Sequence, residues 1–238
     1  MKIVLIGYGK MGKAIEEICL HRGHEVFLRI DINNLHEFTL ENIRSTDVAI
    51  EFTSPHTAFD NVKKCIEFGI PVVCGSTGWT DRMEEILKLN QVKNGAFIYA
   101  SNYSVGVNIF FEVNKKLASM MASQPSYEVQ LTEIHHTQKK DAPSGTAITL
   151  AEQILKHSNK KQRWVNHITD NADELEILSE RIDPAAGTHS VKYSSVIDDI
   201  EIIHTAHNRT GFALGAVLAA EFIHDKKGYF SMKDVLGF

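Results

Sequence analysis

The stretch Lys2-Ile-Val-Leu-Ile-Gly7-Tyr-Gly9-Lys-Met-Gly12 decides the first half of the fold. A short apolar run predicts a β-strand that enters a Gly-x-Gly-x-x-Gly turn, and Lys13–Leu20 then predicts an amphipathic helix. In a dinucleotide-binding turn, Gly7 permits the tight bend, Gly9 lets the backbone approach the pyrophosphate, and Gly12 lets the helix pack against the strand. The stretch therefore predicts a Rossmann-type unit. The alternative is a glycine turn in another kind of α/β unit.

A second predicted strand, Glu25–Ile30, ends at Asp31. This is about the spacing at which an acidic residue meets the adenosine ribose of a bound dinucleotide. A carboxylate there accepts hydrogen bonds from the ribose hydroxyls and repels a 2′-phosphate, and the next residue, Ile32, offers a phosphate no charge. The pair favours NADH over NADPH. The alternative interpretation of Asp31 is a solvated strand end.

Three further apolar runs, Asp47–Phe52, Ile70–Cys74 and Ala96–Ala100, alternate with helical patterns. This order predicts a parallel, doubly wound sheet, in which ligands bind beyond the carboxyl ends of the strands. The loops Gly75–Gly78 and Ala100–Tyr103 fall at such ends. Each loop alone could be a plain connection between a strand and a helix. Their shared position predicts that they line the same cofactor cleft as the first glycine turn.

The pattern changes after Tyr103, where Val105–Met121 predicts one long helix. Apolar and polar residues then alternate, as in half-exposed strands, over Tyr127–Glu133, Leu175–Ile182, His189–Ser194 and Ile200–His204. These stretches predict a second, α+β domain with a mixed or antiparallel sheet. Because a sheet with one open face often meets a partner subunit, we expect oligomerisation through it.

The final helical pattern, Phe212–Ile223, is apolar nearly all round. A helix of this kind is buried on most sides, so we expect it to pack on the first domain. The predicted division is therefore residues 1–103 plus 209–238 for the dinucleotide-binding domain. Residues 104–208 form the domain for substrate binding and oligomerisation.

The segment Glu133–Ala147 concentrates chemically active side chains. His135 and His136 end a predicted strand, Lys139 follows in the loop, and a Ser-Gly-Thr turn starting at Ser144 then opens a helix. Histidine and lysine can donate protons, and the N–H groups at a helix start can hold a carboxylate. The alternative is a polar loop closed by an ordinary helix cap. The combination favours a catalytic site.

Composition limits the remaining possibilities. The chain has 238 residues, of which 43% are hydrophobic, and a net charge of −5, which argues against a nucleic-acid-binding surface. Three widely spaced cysteines show no metal-ligand pattern and fit a reducing compartment, so we expect no metal site. The apolar run at Ile3–Ile6 is too short for a signal or membrane segment. We expect a cytoplasmic protein that does not bind membranes.

The segment His135-His-x-x-Lys139-x-Asp-x-Pro-Ser-Gly-Thr-Ala147 resembles the signature of the dihydrodipicolinate reductase family, also named 4-hydroxy-tetrahydrodipicolinate reductase. The resemblance extends to the opening glycine motif, to Gly75-Ser-Thr-Gly78 and to Ala100–Asn108. It also includes the tail His204–Arg209 and Phe212–Ala216. It implies an NAD(P)H-dependent oxidoreductase of lysine and diaminopimelate biosynthesis that acts on a small dicarboxylate and assembles as a homotetramer through the second-domain sheet.

The resemblance also implies roles for individual residues. His135 is expected to be the catalytic acid/base and Lys139 a proton donor. The substrate carboxylates are expected at His136, Gly145 and Thr146, with Ser144 at the head of the same turn. The nicotinamide cofactor is expected on four segments, which comprise Gly7, Tyr8, Gly9, Lys10, Met11 and Gly12; Asp31; Gly75, Ser76 and Thr77; and Ala100, Ser101, Asn102 and Tyr103.

The chain departs from the family pattern at several positions. Ser76 stands where the family more often has Thr, Tyr103 and Trp79 where it more often has Phe, and Ile32 where some members have Arg. The chain is also short for the family between Leu155 and Leu175. Two other hypotheses remain open from the residues. One is a different NAD(P)-dependent dehydrogenase that acts on an acid such as aspartate or homoserine, and the other is a nucleotide-sensing protein without turnover.

Overall fold

Eleven strands and eight α-helices make up the chain, whose computed structural model describes residues 1–238. The strands are β1 (Lys2–Ile6), β2 (Glu25–Ile30), β3 (Val48–Glu51), β4 (Val72–Cys74), β5 (Ala96–Tyr99), β6 (Glu128–His135), β7 (Arg163–Val165), β8 (Glu174–Arg181), β9 (Gly187–Ser194), β10 (Asp199–Ala206) and β11 (Gly228–Phe230). The helices are α1 (Lys10–His21), α2 (Leu40–Ile43), α3 (Ala58–Glu67), α4 (Met83–Val92), α5 (Val105–Met121), α6 (Gly145–His157), α7 (Thr210–Ile223) and α8 (Met232–Leu236).

The chain divides into two compact units. The first comprises Met1–Val105 and Arg209–Phe238, and the second comprises Gly106–Asn208. No helix combines the length and the apolar character that crossing a membrane requires.

The first unit is built on a six-stranded sheet in the order β11-β5-β4-β3-β1-β2, and every neighbouring pair is parallel. Chain order reverses beside β1, whose neighbours are β2 and β3, so the carboxyl ends of β1 and β3 flank the switch point where such sheets bind ligands. The predicted doubly wound parallel sheet is confirmed. The sequence did not indicate its sixth strand, β11, which has only three residues and pairs with β5.

Apolar cores cover both faces of this sheet. One core packs α1 and α7 on the strands, and it includes Ile15 and Val217, both fully buried. The other core packs α3 and α4, through Val62 and Ile86, on the opposite face. The nearly apolar α7 buries seven of its residues, which explains why its sequence shows no polar stripe. Strands buried on both faces read as continuous apolar runs, as β1 and β3 do.

The second unit contains a five-stranded mixed sheet in the order β10-β9-β6-β8-β7. β6 lies antiparallel to β9 and parallel to β8, which confirms the predicted mixed sheet. One face of β6, β8 and β9 packs under α5 and α6 through residues such as Leu131, Leu150 and Val191. The strand β7 lies in a region whose sequence is the most loop-like of the chain, so it was not predicted. Its three residues pair only with β8.

Candidate active site

The first glycine turn is shaped by close backbone packing. Gly7 has φ +95°, and a Cβ atom there would lie 2.0 Å from the carbonyl oxygen of Phe52. A Cβ atom on Gly12 would lie 2.3 Å from the carbonyl oxygen of Gly7. Gly9 differs, because a Cβ atom there would meet nothing within 4 Å. Two glycines are thus required by the fold, whereas Gly9 leaves open space beside the backbone, as the approach of a ligand requires.

The N-terminus of α1 has the features of an anion site. Its first-turn N–H groups have no carbonyl partner within the helix, Gly9 at the N-cap provides no side chain, and the first turn has no acidic residue. A cavity of about 240 Å³ lies nearby, lined by Met11 and by the loops Phe52–Pro55 and Gly75–Thr77. The residues present therefore fit the diphosphate of a dinucleotide.

Asp31 lies half-buried just beyond β2, and its carboxylate accepts a hydrogen bond of 2.7 Å from the Asn33 N–H. Arg29, the nearby cation, forms an ion pair with Glu16 and lies over the Tyr8 ring at 5.8 Å. Tyr8 also donates its hydroxyl to Glu16. Arg29 and Tyr8 thus both contact the Glu16 carboxylate.

Glu51, at the end of β3, organises the two loops beside the cavity although it is fully buried. Its Oε1 accepts hydrogen bonds from the Thr53 N–H (3.1 Å) and the Ser76 hydroxyl (3.1 Å), and its Oε2 accepts one from the Cys74 thiol (3.0 Å). Ser76 in turn accepts from the Thr53 N–H at 2.8 Å. Ser76 was predicted to contact the cofactor, and the structure engages its hydroxyl in holding the two loops together.

The segment Ala100–Tyr103 places its last side chain in the core. Tyr103 is 2% exposed, and its hydroxyl donates to the Cys74 carbonyl at 2.8 Å. A Cβ atom on Gly215 would lie only 1.7 Å from the carbonyl oxygen of Tyr103, so the two backbones are in close contact. Ser101 is exposed, whereas the Asn102 side chain accepts from the Ser104 N–H at 2.9 Å. The backbone and the polar side chains of this segment are therefore better suited to a cofactor than the Tyr103 ring.

In the second unit, β6 directs polar residues into the protein interior. Leu131, Glu133 and His135 alternate along one face and are all buried. His135 is the last residue of the strand, and His136 follows it half-buried. The two histidines thus differ in environment, as expected if the chain continues extended.

Glu133 is fully buried and accepts several hydrogen bonds. The Ser144 N–H lies 3.1 Å from each oxygen, the Ser179 hydroxyl donates at 2.7 Å, and Arg181 Nη2 donates at 3.2 Å. His135 Nδ1 lies 3.4 Å from Oε2. Burial works to raise the pKa of the Glu133 carboxyl, but the hydrogen bonds from the two serines and the charge of His135 together lower it. Glu133 is therefore ionised near neutral pH.

His189 lies directly opposite Glu133 in the antiparallel pairing of β6 with β9. Its Nε2 is 3.1 Å from the Ser144 hydroxyl, and its ring packs edge-on against His135 with centroids 5.1 Å apart. Burial lowers the pKa of His189 to about 3, with the neighbouring His135 acting in the same direction. Burial also lowers the pKa of His135, although the Glu133 charge opposes this shift. Both shifts disfavour the imidazolium forms of the two rings.

The loop after His136 carries the two lysines. Lys139 Nζ donates to both oxygens of Asp141, at 2.7 and 2.8 Å, whereas Lys140 is exposed. Arg181 holds this loop through the carbonyls of Lys139 (3.3 Å) and Asp141 (2.7 Å). Burial works to raise the pKa of Asp141, but the hydrogen bonds and charge of Lys139 lower it overall. The structure thus distinguishes Lys139, which is fixed beside the histidines, from Lys140.

Helix α6 begins at the Ser-Gly-Thr turn. Ser144 is its N-cap and is 3% exposed, with its N–H on Glu133 and its hydroxyl accepting from the Ala147 N–H at 3.2 Å. A Cβ atom on Gly145 would meet nothing within 4 Å, and the first turn has no acidic residue. Ser144 was predicted with the substrate-binding residues, and the structure gives its polar groups internal partners. Gly145 and Thr146 form the accessible part of the turn.

The ligand atoms of Glu133, His135 and His189 all lie within 4.8 Å of one another, the size of a metal site. Arg181 and the serines already donate to the Glu133 carboxylate, and the guanidinium supplies positive charge where a cation would otherwise bind. This arrangement fits a hydrogen-bonded network better than a metal centre.

Four residues of these networks were not among the predicted site residues: Glu133, His189, Arg181 and Glu51. A signal existed for the first two. Glu133 has the same strand parity as Leu131, and His189 the same parity as Val191, so both continue the buried face of their strands.

Comparison with known proteins agrees with this architecture. Residues 1–103 match the family description "Dihydrodipicolinate reductase, N-terminus", and residues 106–236 match "Dihydrodipicolinate reductase, C-terminus". A relative from Christiangramia forsetii, named 4-hydroxy-tetrahydrodipicolinate reductase, is 50% identical over 236 residues, covering 99% of this chain and 98% of the relative. A relative of the same name from Thermosipho africanus is 33% identical, with the same coverage.

Solved structures share the fold. A dipicolinate-bound dihydrodipicolinate reductase from Paenisporosarcina sp. TG-14 superimposes with a TM-score of 0.77 at 24% identity, covering 97% of each chain. An apo scyllo-inositol dehydrogenase from Lactobacillus casei does so with a TM-score of 0.57 at 11% identity, covering 99% of this chain and 92% of the other. The two matches to the family descriptions together span nearly the whole chain, and the first relative is identical at half of the aligned positions. The chain belongs to the dihydrodipicolinate reductase family, whose members are pyridine-nucleotide-dependent oxidoreductases.

Proposed function

We propose that this chain catalyses the reduction of 4-hydroxy-tetrahydrodipicolinate to tetrahydrodipicolinate, with NADH as the favoured reductant, in lysine and diaminopimelate biosynthesis. The observation that carries the proposal is the buried Glu133, which contacts His135 and also accepts from the N–H of Ser144. It thereby brings a proton-transfer group next to a helix start that is open to a carboxylate. Relatives at 50% and 33% identity that carry the reductase name support the assignment.

The substrate is a small ring with two carboxylates, and positive or N–H groups of the second unit suit both of them. The N-terminal turn of α6, at Gly145 and Thr146, would accept one carboxylate through backbone N–H groups and the threonine hydroxyl. His136 and the Lys139 ammonium are candidates for the other. The relative whose structure was solved with dipicolinate, which is likewise a six-membered nitrogen ring with two carboxylates, supports this class of ligand.

The reaction removes water and adds a hydride and a proton to the conjugated C=N system. When bound, the reduced nicotinamide supplies the hydride. His135 is proposed as the acid/base that delivers the proton, and Lys139 as a second donor that also offsets negative charge on the ring. Asp141 holds the Lys139 ammonium in place through two hydrogen bonds. The products are tetrahydrodipicolinate, the oxidised nicotinamide and water.

The first unit is proposed to hold the cofactor through the N-terminus of α1 and the loops after β3, β4 and β5. Asp31 is proposed to accept hydrogen bonds from the ribose hydroxyls, and the exposed apolar side chain of Ile32 offers a 2′-phosphate no partner. The ion pair between Arg29 and Glu16 supports the same preference for NADH, because it engages the nearest guanidinium.

Assembly as a homotetramer through the second-unit sheet remains a proposal. The edge strand β10 and the turn before it expose Ile203 (59%), Ile197 (82%) and Val196 (101%). Exposed apolar side chains grouped on one sheet edge are typical of subunit contacts. Light scattering on the purified chain tests this, and a monomeric mass would contradict it.

A coupled assay tests the activity. The upstream synthase is supplied with pyruvate and aspartate semialdehyde to generate the substrate, and the oxidation of NADH and NADPH is followed in parallel. We expect oxidation of both cofactors, with the higher kcat/KM for NADH. Oxidation of neither, with binding of both, would instead favour a nucleotide sensor. Activity on homoserine or aspartate, without activity on the cyclic substrate, would favour a different dehydrogenase.

A further inference from the structure

We propose that Glu133 is a positioning residue for the reduction: it orients the His135 ring with a proton on Nδ1, so that Nε2 is the nitrogen that exchanges a proton with the substrate. This inference rests on the function proposed above. It extends that function, because Glu133 does not itself contact the substrate in this scheme and acts through His135.

His135 Nδ1 lies in the protein interior beside the Glu133 carboxylate. This nitrogen is completely buried and has no aligned hydrogen-bond partner, and Glu133 Oε2 is 3.4 Å away. A buried N–H beside an ionised carboxylate is favoured, whereas a bare nitrogen lone pair facing the same carboxylate is repelled. The neutral ring therefore carries its proton on Nδ1, and its Nε2 lone pair takes up a second proton. The resulting imidazolium, which the Glu133 charge favours, then donates that proton from Nε2 to the substrate. Because Nδ1 is buried, the accessible 10% of the side chain lies elsewhere on the ring.

Gly187 and His189 pack against the His135 ring. A Cβ atom on Gly187 would lie 3.1 Å from His135 Nε2, so only a glycine leaves this side of the ring clear. The His189 ring packs edge-on against the His135 ring, with the two ring centroids 5.1 Å apart. These contacts hold the plane of the ring, and Glu133 then determines which nitrogen faces inward.

Burial lowers the pKa of His135, and charges on the elements packed against the ring then modify its proton affinity. Glu133 on β6 and Asp141 in the following loop favour the imidazolium, whereas Lys139 in that loop and Arg181 on β8 disfavour it. His189 on β9 is neutral at the working pH, because its pKa is about 3. Glu133 makes the largest favourable contribution among these charges. Removing its charge should therefore weaken proton binding at His135.

The carboxylate also connects this ring with the substrate-binding turn. Both Glu133 oxygens lie 3.1 Å from the Ser144 N–H, one residue before Gly145. The register neighbours of Glu133 on the two adjacent strands, Ser179 and His189, both approach the same carboxylate. Glu133 is thus the point at which the strand of His135 and the start of α6 are joined.

The variant Glu133→Gln tests the inference, because it keeps the size of the side chain and removes its charge. We expect kcat to fall by roughly tenfold or more, and the alkaline limb of the pH–rate profile to move to lower pH by about one unit. The matched control is Ser179→Ala, which removes one hydrogen bond to the carboxylate and keeps the charge. This control should retain the alkaline limb of the wild type. A folded Glu133→Gln enzyme with an unchanged pH profile and a kcat within about twofold would overturn the proposal.

A measurement on the wild-type chain keeps the test independent of folding and of turnover. The chain has twelve histidines, so ¹⁵N-histidine labelling and a difference spectrum against His135→Gln assign the His135 ring. We expect the Nδ1–H tautomer at neutral pH. An Nε2–H tautomer would overturn the inference, even if the enzyme were fully active. Conversely, an Nδ1–H tautomer in a chain that does not reduce the proposed substrate would contradict the function and leave the tautomer assignment intact.

Discussion

Ser76 donates its hydroxyl to the fully buried carboxylate of Glu51, at 3.1 Å, and so connects the ends of two neighbouring strands, β4 and β3. Thr53 and Cys74 donate to the same carboxylate. The loops that line the cavity beside the first glycine turn thus depend on one buried carboxyl side chain. Glu51 in the first unit and Glu133 in the second are both buried acids whose hydrogen bonds fix the backbone next to a predicted binding surface.

The first prediction concerns Glu51. Glu51→Gln replaces one acceptor oxygen with a donor and leaves some of its neighbours' donors unsatisfied, which costs about 1–3 kcal/mol each for buried groups. We expect a lower melting temperature and a raised KM for NADH, with the KM for the dicarboxylate nearly unchanged. The control is Glu85→Gln on the exposed surface of α4, where the same chemical change should have little effect. An unchanged KM for NADH would show that the loops do not depend on this carboxylate.

The second prediction separates the two binding surfaces by a pair of glycines. Alanine at Gly9 or at Gly145 meets no protein atom within 4 Å, so neither substitution should destabilise the fold. Gly9→Ala should raise the KM for NADH by roughly tenfold, about 1.4 kcal/mol of binding free energy, and leave the KM for the dicarboxylate unchanged. Gly145→Ala should do the reverse. Steady-state kinetics with each substrate varied in turn checks both.

Gly12→Ala is the structural control for the variants at Gly9 and Gly145. Gly12→Ala would bring a Cβ atom to 2.3 Å from the Gly7 carbonyl oxygen, so it should lower the melting temperature as well as cofactor affinity. If Gly9→Ala lowers the melting temperature as much as Gly12→Ala does, the open space beside Gly9 is not the reason for the glycine.

The third prediction concerns cofactor choice. The double variant Asp31→Ser with Ile32→Arg removes a carboxylate that repels a 2′-phosphate and adds a guanidinium that can pair with it. We expect the ratio of kcat/KM for NADPH to that for NADH to rise by at least roughly tenfold. Ile32→Ala serves as the control, because it removes the exposed side chain without adding charge. A ratio that stays constant in the double variant would mean that neither residue approaches the ribose.

The fourth prediction compares the two adjacent histidines. His135→Gln should lower kcat by roughly 10²-fold, because general acid catalysis is lost, whereas His136→Gln should mainly raise the KM for the dicarboxylate. The substitution is the same at neighbouring positions, so each variant controls for the other. Near-normal turnover in His135→Gln would remove His135 from the proton-transfer role. In that case Lys139 becomes the remaining candidate, and Lys139→Met should then abolish activity.

Elements of the fold that have a local sequence pattern were predicted, and elements without one were not. The strand and helix order of the first unit was predicted because apolar runs, glycine turns and helical spacing are all local patterns, as in Lys2–Gly12. The parallel sheet and the mixed second sheet were confirmed. β4 also has only three residues, but it lies within the apolar run Ile70–Cys74 and was predicted. β7 and β11 were missed because their three residues lie in no such run and they pair with β8 and β5 alone.

The candidate site was only partly accessible to the same reasoning. The pair His135 and Lys139 was selected from its spacing and from a family resemblance. The partners of Glu133 come from three strands and a helix start, so their meeting depends on register, which a single sequence does not reveal. Ser144 illustrates the limit. Its position before a Gly-Thr turn suggested ligand contact, yet its hydroxyl caps α6 and its N–H points at Glu133.

The last prediction concerns the dependence of stability on pH. Burial depresses the pKa of His189 to about 3 in the folded chain, whereas the pKa of an unfolded histidine is about 6.5. Between these values the unfolded chain binds a proton that the folded chain does not, so the free energy of unfolding falls as the pH is lowered from 6.5 toward 3. From pH 6.5 to 5 this single group should remove about 2 kcal/mol from the free energy of unfolding.

His189→Gln should be less stable than the wild type at pH 7 but should lose less stability between pH 6.5 and 5. The control is His36→Gln, whose side chain is 78% exposed and which should follow the wild-type slope. Thermal unfolding at pH 7, 6 and 5 measures these slopes, and parallel slopes for His189→Gln and the wild type would contradict the buried, neutral state of His189.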